Sequence, residues 1–388
     1  MHGIRVLDLT RVLAGPWATQ QLADQGATVL KVEPPDGDET RRFGPVVRGQ
    51  STYFLAANRN KRSICLDLKT PAGQEVLDRL AATCDVVVEN FRPGVAERLG
   101  LGWPDLHRRH PRLIYVAIHA FGEGGPEAWT RRPGYDLALQ AMGGIVAASG
   151  TAGGPPTKCA TSIADLLAGL HAVQAVLLGL LHRHETGRGQ KIVVNMMQSQ
   201  AAALAYHATR YDVTGEIEVQ RGNAHAGLVP YDIYRCADGW MAIACGNDAI
   251  WLRLRAALEL PDEPGWRSNV DRVADRQRVD DAVKAAIAHR TTNDVDKTLA
   301  AAGVPAGPVL SLDRTLAHPV VQTVAVDHPI LGEVNLPGPT ITTATTVSEH
   351  RSPPALDADR AEILAEAGLS SDEVEHFTRG GAFPMEPR

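Results

Sequence analysis

The chain has 388 residues, of which 44% are hydrophobic, 22% charged and 5% aromatic, with a formal net charge of -6. Ordinary apolar content and the lack of long like-charge blocks exclude disorder over most of its length, and at roughly 150 residues per domain it holds two to three domains. The acidic balance argues against nucleic acid or an anionic membrane surface as a general partner, so an anionic ligand must be met by a local basic patch.

In chain order, Ile4–Leu9 is a short β-type run, followed by Ala14-Gly15-Pro16 and a helical pattern over 17–25. Ala27–Val32 and Ser63–Leu68 are the second and third strands. Pro71 takes a first-turn position in a helix predicted over 71–82. Asp85–Glu89 and Leu113–Ile118 are the fourth and fifth strands. Strands alternating with helices predict a doubly wound α/β sheet.

A loop rich in Gly and Pro over 149–157 precedes a long helix beginning near Ser162, which stops at Thr186-Gly187-Arg188-Gly189. Ile163–Leu181 is the most apolar stretch, yet it contains Asp165, His171 and Gln174, so it reads as a buried helix and not a membrane span. Lys191–Asn195 returns as a strand. Beyond Gly222 the texture changes: Tyr231–Arg235 and Trp240–Ala244 flank the turn Ala237-Asp238-Gly239, and charge-rich helical segments run from Trp251 to Ala302. The expected organisation is a large domain over 1–195, a linker over 196–223 and a smaller α+β domain over 224–318. Residues 319–388 are expected as a linker and a C-terminal segment returning to the large domain, with a helical pair over 361–378 and a loose tail.

The N-terminal MHGIRVLDLT lacks the charged start and apolar core of a signal peptide. Cys65, Cys84, Cys159, Cys236 and Cys245 are scattered and odd in number, which points to a reducing cytoplasm and away from disulfides or a cysteine zinc site. There is no G-x-x-x-x-G-K-[ST], no G-x-G-x-x-G after the first strand, no H-E-x-x-H and no G-x-S-x-G. His182 and His184 lie two apart, hence on different helix faces, where they complement the helix dipole.

Three features remain. Ser162-Ile163-Ala164-Asp165 opens the long helix, either as a capping box or as an ionised carboxylate held at the positive helix end, as an acyl-accepting nucleophile requires. Arg41, Arg42, Lys61, Arg62, Lys69, Arg92 and Arg98 fall in predicted loops. They are either solvated singly or gathered along one sheet edge, where they would suit a nucleotide or coenzyme A. Gly134-Tyr135-Asp136, leading to Gln140 and Gly143-Gly144, is a loop-to-helix junction with Asp136 as a cap, or part of a site.

Taken jointly, these stretches resemble the class III coenzyme A transferases. The matching pieces are GIRVLDLTRVLAGP, LADQGATVLKVEPPDGDETR, NKRSICLDLKTPAG, VVVENFRPGVAERLG, GYDLALQAMGG, the segment around Asp165, HETGRGQK and GNAHAGLVPY, dense over 3–235 and looser beyond. The resemblance implies a Rossmann-like large domain, a small domain and two chains interlocked as a homodimer, which the long linkers around 195–223 and 318–350 would suit. It implies that Asp165 is the nucleophile. Coenzyme A would be held by the loop from Val12 through Ala14 to Gly15, by Lys69, and by Asn90, Phe91, Arg92 and Arg98. Tyr135, Gln140 and His225 are the acyl-site candidates.

The implied activity is transfer of coenzyme A between carboxylic acids through a covalent aspartyl intermediate. Coenzyme A enters as the acyl-CoA substrate and no metal is expected, because a carboxylate is itself a competent nucleophile. The alternative is the 2-methylacyl-CoA racemase branch, which has a histidine where Tyr135 stands. A tyrosine, with a pKa of about 10, is a poor base at neutral pH. A binding protein without catalysis is a third reading, against which the retained Asp165 speaks. The glycine-rich insertion and the glutamine (Leu13 here) of some formyl-CoA transferases are missing, which argues against oxalate and formyl-CoA as substrates.

Overall fold

The computed structural model describes residues 1–344, 346 and 349–384, so the expected tail beyond Pro384 lies outside the described residues. Two compact units divide the chain. The larger comprises Met1–Val146, Lys158–Glu216 and the chain from Gln322 onward; the smaller comprises Ala147–Thr157 and Ile217–Val321. The 196–223 stretch, expected as a linker, carries helices Met196–Ala203 and Tyr206–Thr214 and belongs to the larger unit as far as Glu216.

The larger unit is built on six parallel strands: β1 (Arg5–Asp8), β2 (Thr28–Glu33), β3 (Lys61–Cys65), β4 (Val86–Glu89), β5 (Ile114–His119) and β6 (Lys191–Asn195). Their order is β3-β2-β1-β4-β5-β6. Strands covered on both faces must be apolar throughout, and Val6, Leu7, Val86, Val87, Val88, Ile114, Val116 and Ile118 are all buried. The chain steps outward from β1 in one direction, then returns to β4 and steps the other way. The connections leaving β1 and β4 therefore diverge, and a crevice opens at their carboxyl ends.

β3 begins two residues earlier than the sequence pattern suggests and ends earlier too. After Cys65 the chain turns through Asp67–Thr70, and the Thr70 hydroxyl accepts from Gly73 N–H at 3.0 Å to cap the Pro71–Ala82 helix. As the sheet edge, β3 would present unpaired amides. Asp359 and Asp357 instead accept from Ser63 and Cys65 N–H, both at 2.8 Å. The closing helices are Arg360–Glu366 and Ser371–Arg379, the second with a complete Ser370/Glu373 capping box.

The long helix Ile163–Thr186 is long and apolar enough to cross a membrane, but its composition is asymmetric. Small residues form the packed face: Ala164, Ala168, Gly169, Ala172, Ala175 and Gly179 are buried. A Cβ on Gly169 would come within 2.8 Å of the Trp17 ring and 2.9 Å of Ala14 O, so glycine lets the Ala14–Asp24 helix approach closely. The leucines point the other way: Leu170, Leu177, Leu178 and Leu181 are 44 to 62% exposed. The helix expected to be buried is therefore buried on its small-residue face only.

The smaller unit is α+β. Its antiparallel sheet runs Ala306–Pro308, Trp240–Ala244, Tyr231–Arg235, covered by helices Asp248–Ala257, Arg276–Ile287 and Thr292–Ala301 around Tyr234, Met241, Trp251, Leu254, Val283 and Leu299.

Candidate active site

The loops leaving β1 and β4 meet at the crevice. Arg11 N–H donates to Asn90 Oδ1 at 2.9 Å, and Asn90 Nδ2 donates back to Arg11 O at 2.7 Å, so one amide side chain ties the two loops together. Buried Glu89, the last residue of β4, accepts from Phe91 N–H at 2.6 Å and shapes the turn through Arg92, Pro93 and Gly94. The turn ends at Gly94 with φ +84°, a conformation open to glycine at no steric cost. Between these loops lies a cleft of about 870 Å³, counting space open to solvent. Arg11 to Ala14, Asn90 to Pro93, Ile118, Ala120, Arg132 to Tyr135 and Asp165 line it.

Asp165 is the third residue of the Ile163–Thr186 helix. The capping box anticipated at Ser162 does not form, because the Ser162 side chain makes no cap bond. Asp136 takes that role from a distant helix: its Oδ1 accepts from Ala164 N–H at 2.9 Å. Its Oδ2 accepts from Gln140 Nε2 at 2.8 Å. Burial pushes the Asp165 carboxyl up to about 7, with the neighbouring Asp136 carboxylate adding to the effect. This is opposite to the expectation that the helix terminus holds it ionised. Near neutral pH Asp165 sits at its titration point.

An Asp136→Asn substitution keeps an acceptor for Ala164 N–H and removes the like charge beside Asp165. The acid limb of the kcat/KM profile, expected near pH 7, should then move to lower pH by roughly half a unit to one unit. An unmoved limb would mean that burial alone sets the Asp165 pKa.

Val12, Ala14, Asn90, Phe91, Arg92 and Tyr135 line the same cleft as Asp165. Lys69 and Arg98 do not line it; both are exposed, Lys69 in the turn after β3 and Arg98 at the end of the short helix Val95–Arg98 after β4. Gln140 is fully buried and faces the scaffold, donating to Thr161 O at 3.1 Å and accepting from Cys159 N–H at 2.9 Å. It supports the approach to the Asp165 helix and does not line the cleft. His225 belongs to the smaller unit, where its Nδ1 accepts from Gly227 N–H at 3.0 Å and its ring lies 5.2 Å from that of Tyr231.

Most of the basic set is dispersed on folding. Lys61 and Arg62 lie in β3; Lys61 is buried against Asp8 at 3.0 Å, and Arg62 pairs with Glu366 at 2.7 Å. Arg41 pairs with Glu33 at 2.6 Å, and Arg42 donates to Asp36 O at 2.7 Å. Of that set Arg92 alone lines the cleft, joined there by Arg11 and Arg132. Arg11 lies 5.8 Å from the centre of the Phe91 ring, and Arg132 lies 4.9 Å from that of Trp129. Sequence reasoning passed over Arg11 and Arg132; the only signal was position, immediately beside motif residues. It also missed Tyr53, whose hydroxyl is raised by burial and by the Asp165 charge. Among the described residues no group of three His, Cys, Asp or Glu side chains is placed to hold a metal ion.

A doubly wound sheet with an aspartate opening a helix beside its switch-point cleft defines the class, and the comparisons give the family. The family described as CoA-transferase family III matches residues 1–360. The chain is 38% identical over 384 residues to a succinyl-CoA:glutarate CoA-transferase of Mus musculus, covering 96% of this chain and 87% of that one. It is 37% identical to an acetyl-CoA:oxalate CoA-transferase of Acetobacter aceti, covering 94% and 95%. A crystal structure of a CAIB/BAIF family protein from Brucella suis superposes with a TM-score of 0.82 at 36% identity, covering 94% and 98%. The chain belongs to CoA-transferase family III, and is an enzyme of the class III CoA-transferase type.

Proposed function

We propose that this enzyme moves coenzyme A from an acyl-CoA to a dicarboxylic acid through covalent adducts on Asp165. The observation that carries this is the position of Asp165, a partly buried carboxyl facing the cleft framed by the loops after β1 and β4. An Asp165 carboxylate oxygen attacks the donor thioester carbonyl, the C–S bond breaks, and a mixed anhydride forms with release of the thiolate. The thiolate attacks the aspartyl carbonyl, freeing the donor acid and leaving an aspartyl-CoA thioester. The acceptor carboxylate attacks this thioester, and the thiolate then takes the acceptor's acyl group, which regenerates Asp165.

Dicarboxylates are favoured because relatives are named for glutarate and for oxalate. Arg11, Arg92 and Arg132 offer planar donors for a distal carboxylate or a phosphate. The oxalate-named relative is as similar as the glutarate-named one, so the missing formyl-CoA transferase features do not set oxalate apart from longer diacids. The racemase alternative gains nothing from the site: where that branch has its histidine, this chain has Tyr135, which is 60% exposed.

The test is incubation with succinyl-CoA, acetyl-CoA and glutaryl-CoA, a hydroxylamine quench and peptide mass spectrometry. A hydroxamate on the Asp165 peptide, dependent on one thioester, supports the proposal. No adduct from an enzyme that binds these thioesters would refute the covalent step.

We further propose a homodimer of the interlocked kind, in the cytoplasm. Leu170, Leu177, Leu178 and Leu181 expose an apolar stripe on one face of the Ile163–Thr186 helix, unusual for a monomer. All five cysteines are free thiols, in keeping with a reducing compartment. Light scattering should give twice the chain mass of 41.6 kDa, and a single-chain mass would refute the dimer.

A further inference from the structure

Val12 has φ +68°, in the left-handed region. For a β-branched side chain this conformation is an outlier that persists only where surrounding structure imposes it. Val12 lines the cleft with Arg11, Leu13 and Ala14, and no side chain caps the Ala14–Asp24 helix that follows.

Beneath this loop lies a fully buried ionic layer that the proposed chemistry does not use. Lys31 Nζ donates to Asp38 Oδ2 at 2.9 Å and to Thr10 O at 3.0 Å, and both charged side chains are 0% exposed. Asp38 Oδ1 accepts from Thr40 N–H at 3.0 Å and Thr40 Oγ1 at 2.8 Å, and lies 3.4 Å from Val12 N. Thr10 is gripped from below as well, its N–H donating to Asp8 Oδ1 at 2.9 Å. Loop and layer are also in direct contact with the helix start, since a Cβ on Gly15 would sit 2.3 Å from Thr10. Lys31 thus fixes the residue two before Val12, and Asp38 reaches Val12 itself.

We propose that the buried Lys31–Asp38 pair positions the active site by holding Val12 in its left-handed conformation, so that the Thr10–Ala14 loop is set for acyl-CoA before it binds. Both are positioning residues, acting through Val12, and neither lines the cleft. The pair keeps its charges although buried. Burial opposes ionisation of each group, but Asp38 raises the Lys31 pKa and Lys31 lowers that of Asp38. A neutral asparagine at 38 would keep acceptors for Thr40 while releasing Lys31 from its counter-charge. Glycine at 12 would adopt the same backbone conformation without being held.

The inference rests on the proposal that this cleft takes acyl-CoA, and its test reads the loop both with and without ligand. Amide hydrogen exchange of the 10–15 segment is measured in the ligand-free wild type, Asp38→Asn, Val12→Gly and the double variant. KM and kcat are then measured for the acyl-CoA donor. The expected result is faster exchange in the loop of Asp38→Asn, a KM raised about tenfold with kcat within about twofold, and recovery of much of the KM change in the double variant, whose loop still exchanges fast. Two results overturn it: unchanged loop exchange in a folded Asp38→Asn enzyme, or a lowered active fraction at unchanged KM that Val12→Gly does not rescue. A wild type that binds no acyl-CoA would instead refute the function proposed for the cleft, while the exchange comparison would still decide whether the pair holds the loop.

Discussion

Asp165→Asn should abolish turnover, by about 10⁴-fold or more, while making the folded protein more stable. The loss of activity follows because an amide cannot form the anhydride. The gain in stability follows from the sign of the pKa shift. The Asp165 carboxyl stands at about 7 in the folded chain against an ordinary value of 3.8. Between those values the folded state binds a proton that the unfolded state does not, so stability falls as pH rises through this window and the deficit is complete above about pH 7. An ionised Asp165 then disfavours folding by at most about 4 kcal/mol.

The neutral isostere removes that deficit. Urea unfolding of wild type and Asp165→Asn at pH 8 and pH 4 checks it. The variant should be the more stable at pH 8, and the difference should shrink towards pH 4. Equal stability at both pH values would show that the wild-type carboxyl ionises in the folded protein as easily as in water. A destabilised nucleophile is the ordinary relation between stability and activity at such sites.

Lys61→Met should be among the most destabilising single substitutions outside the hydrophobic core, by about 3–5 kcal/mol, because it strands a buried carboxylate. Lys61 Nζ donates to Asp8 Oδ2 at 3.0 Å, Asn58 Oδ1 at 2.9 Å and Pro16 O at 2.8 Å, and neither charged side chain is exposed. Burial draws Lys61 down to about 8, against the pull of Asp8, while Lys61 and Lys31 outweigh burial and keep Asp8 down at about 2. Asp8 therefore contributes stability that is present above its unfolded value and is lost as pH falls from about 4 towards 2.

Without Lys61, that contribution is largely gone at pH 7, so the penalty should be largest at neutral pH and smaller in acid. Chemical denaturation at pH 7 and pH 4 measures both. The double change Asp8→Asn with Lys61→Met should recover part of the loss, since replacing both charges avoids leaving one unpaired. A double variant as unstable as the sum of the single ones would refute the pairing as the cause.

Much of the architecture was legible in the sequence because it rests on local rules. The Pro71–Ala82 helix is legible, since proline at its first position and an apolar face both lie within one segment. The parallel strands were legible as continuous apolar runs, which only a sheet covered on both faces requires. The third strand was misplaced towards 63–68 because Lys61 and Arg62 look like loop residues until Asp8 and Glu366 are seen to neutralise them. The basic patch was legible only at Arg92, for the same reason. Seven cations were countable, but which of them face a ligand depends on acids 8 to 304 residues away along the chain.

Asp165 shows both limits at once. Its place at a helix start was readable from Ser162 to Asp165, but its electrostatics were not. Helix position alone predicts an ionised group, whereas the folded chain buries it beside Asp136, 29 residues earlier, and raises its pKa. The leucines of the long helix follow the same logic. Hydropathy gave one apolar segment, and only packing decided that alanine and glycine face the sheet while leucine faces out. Sequence by itself determined which segments form helices and strands, because backbone propensity and periodicity act within a few residues. Tertiary structure alone decided which charges are paired, which carboxyl is left near neutrality and which backbone is held in strain, because burial and charge act between residues that only folding brings together.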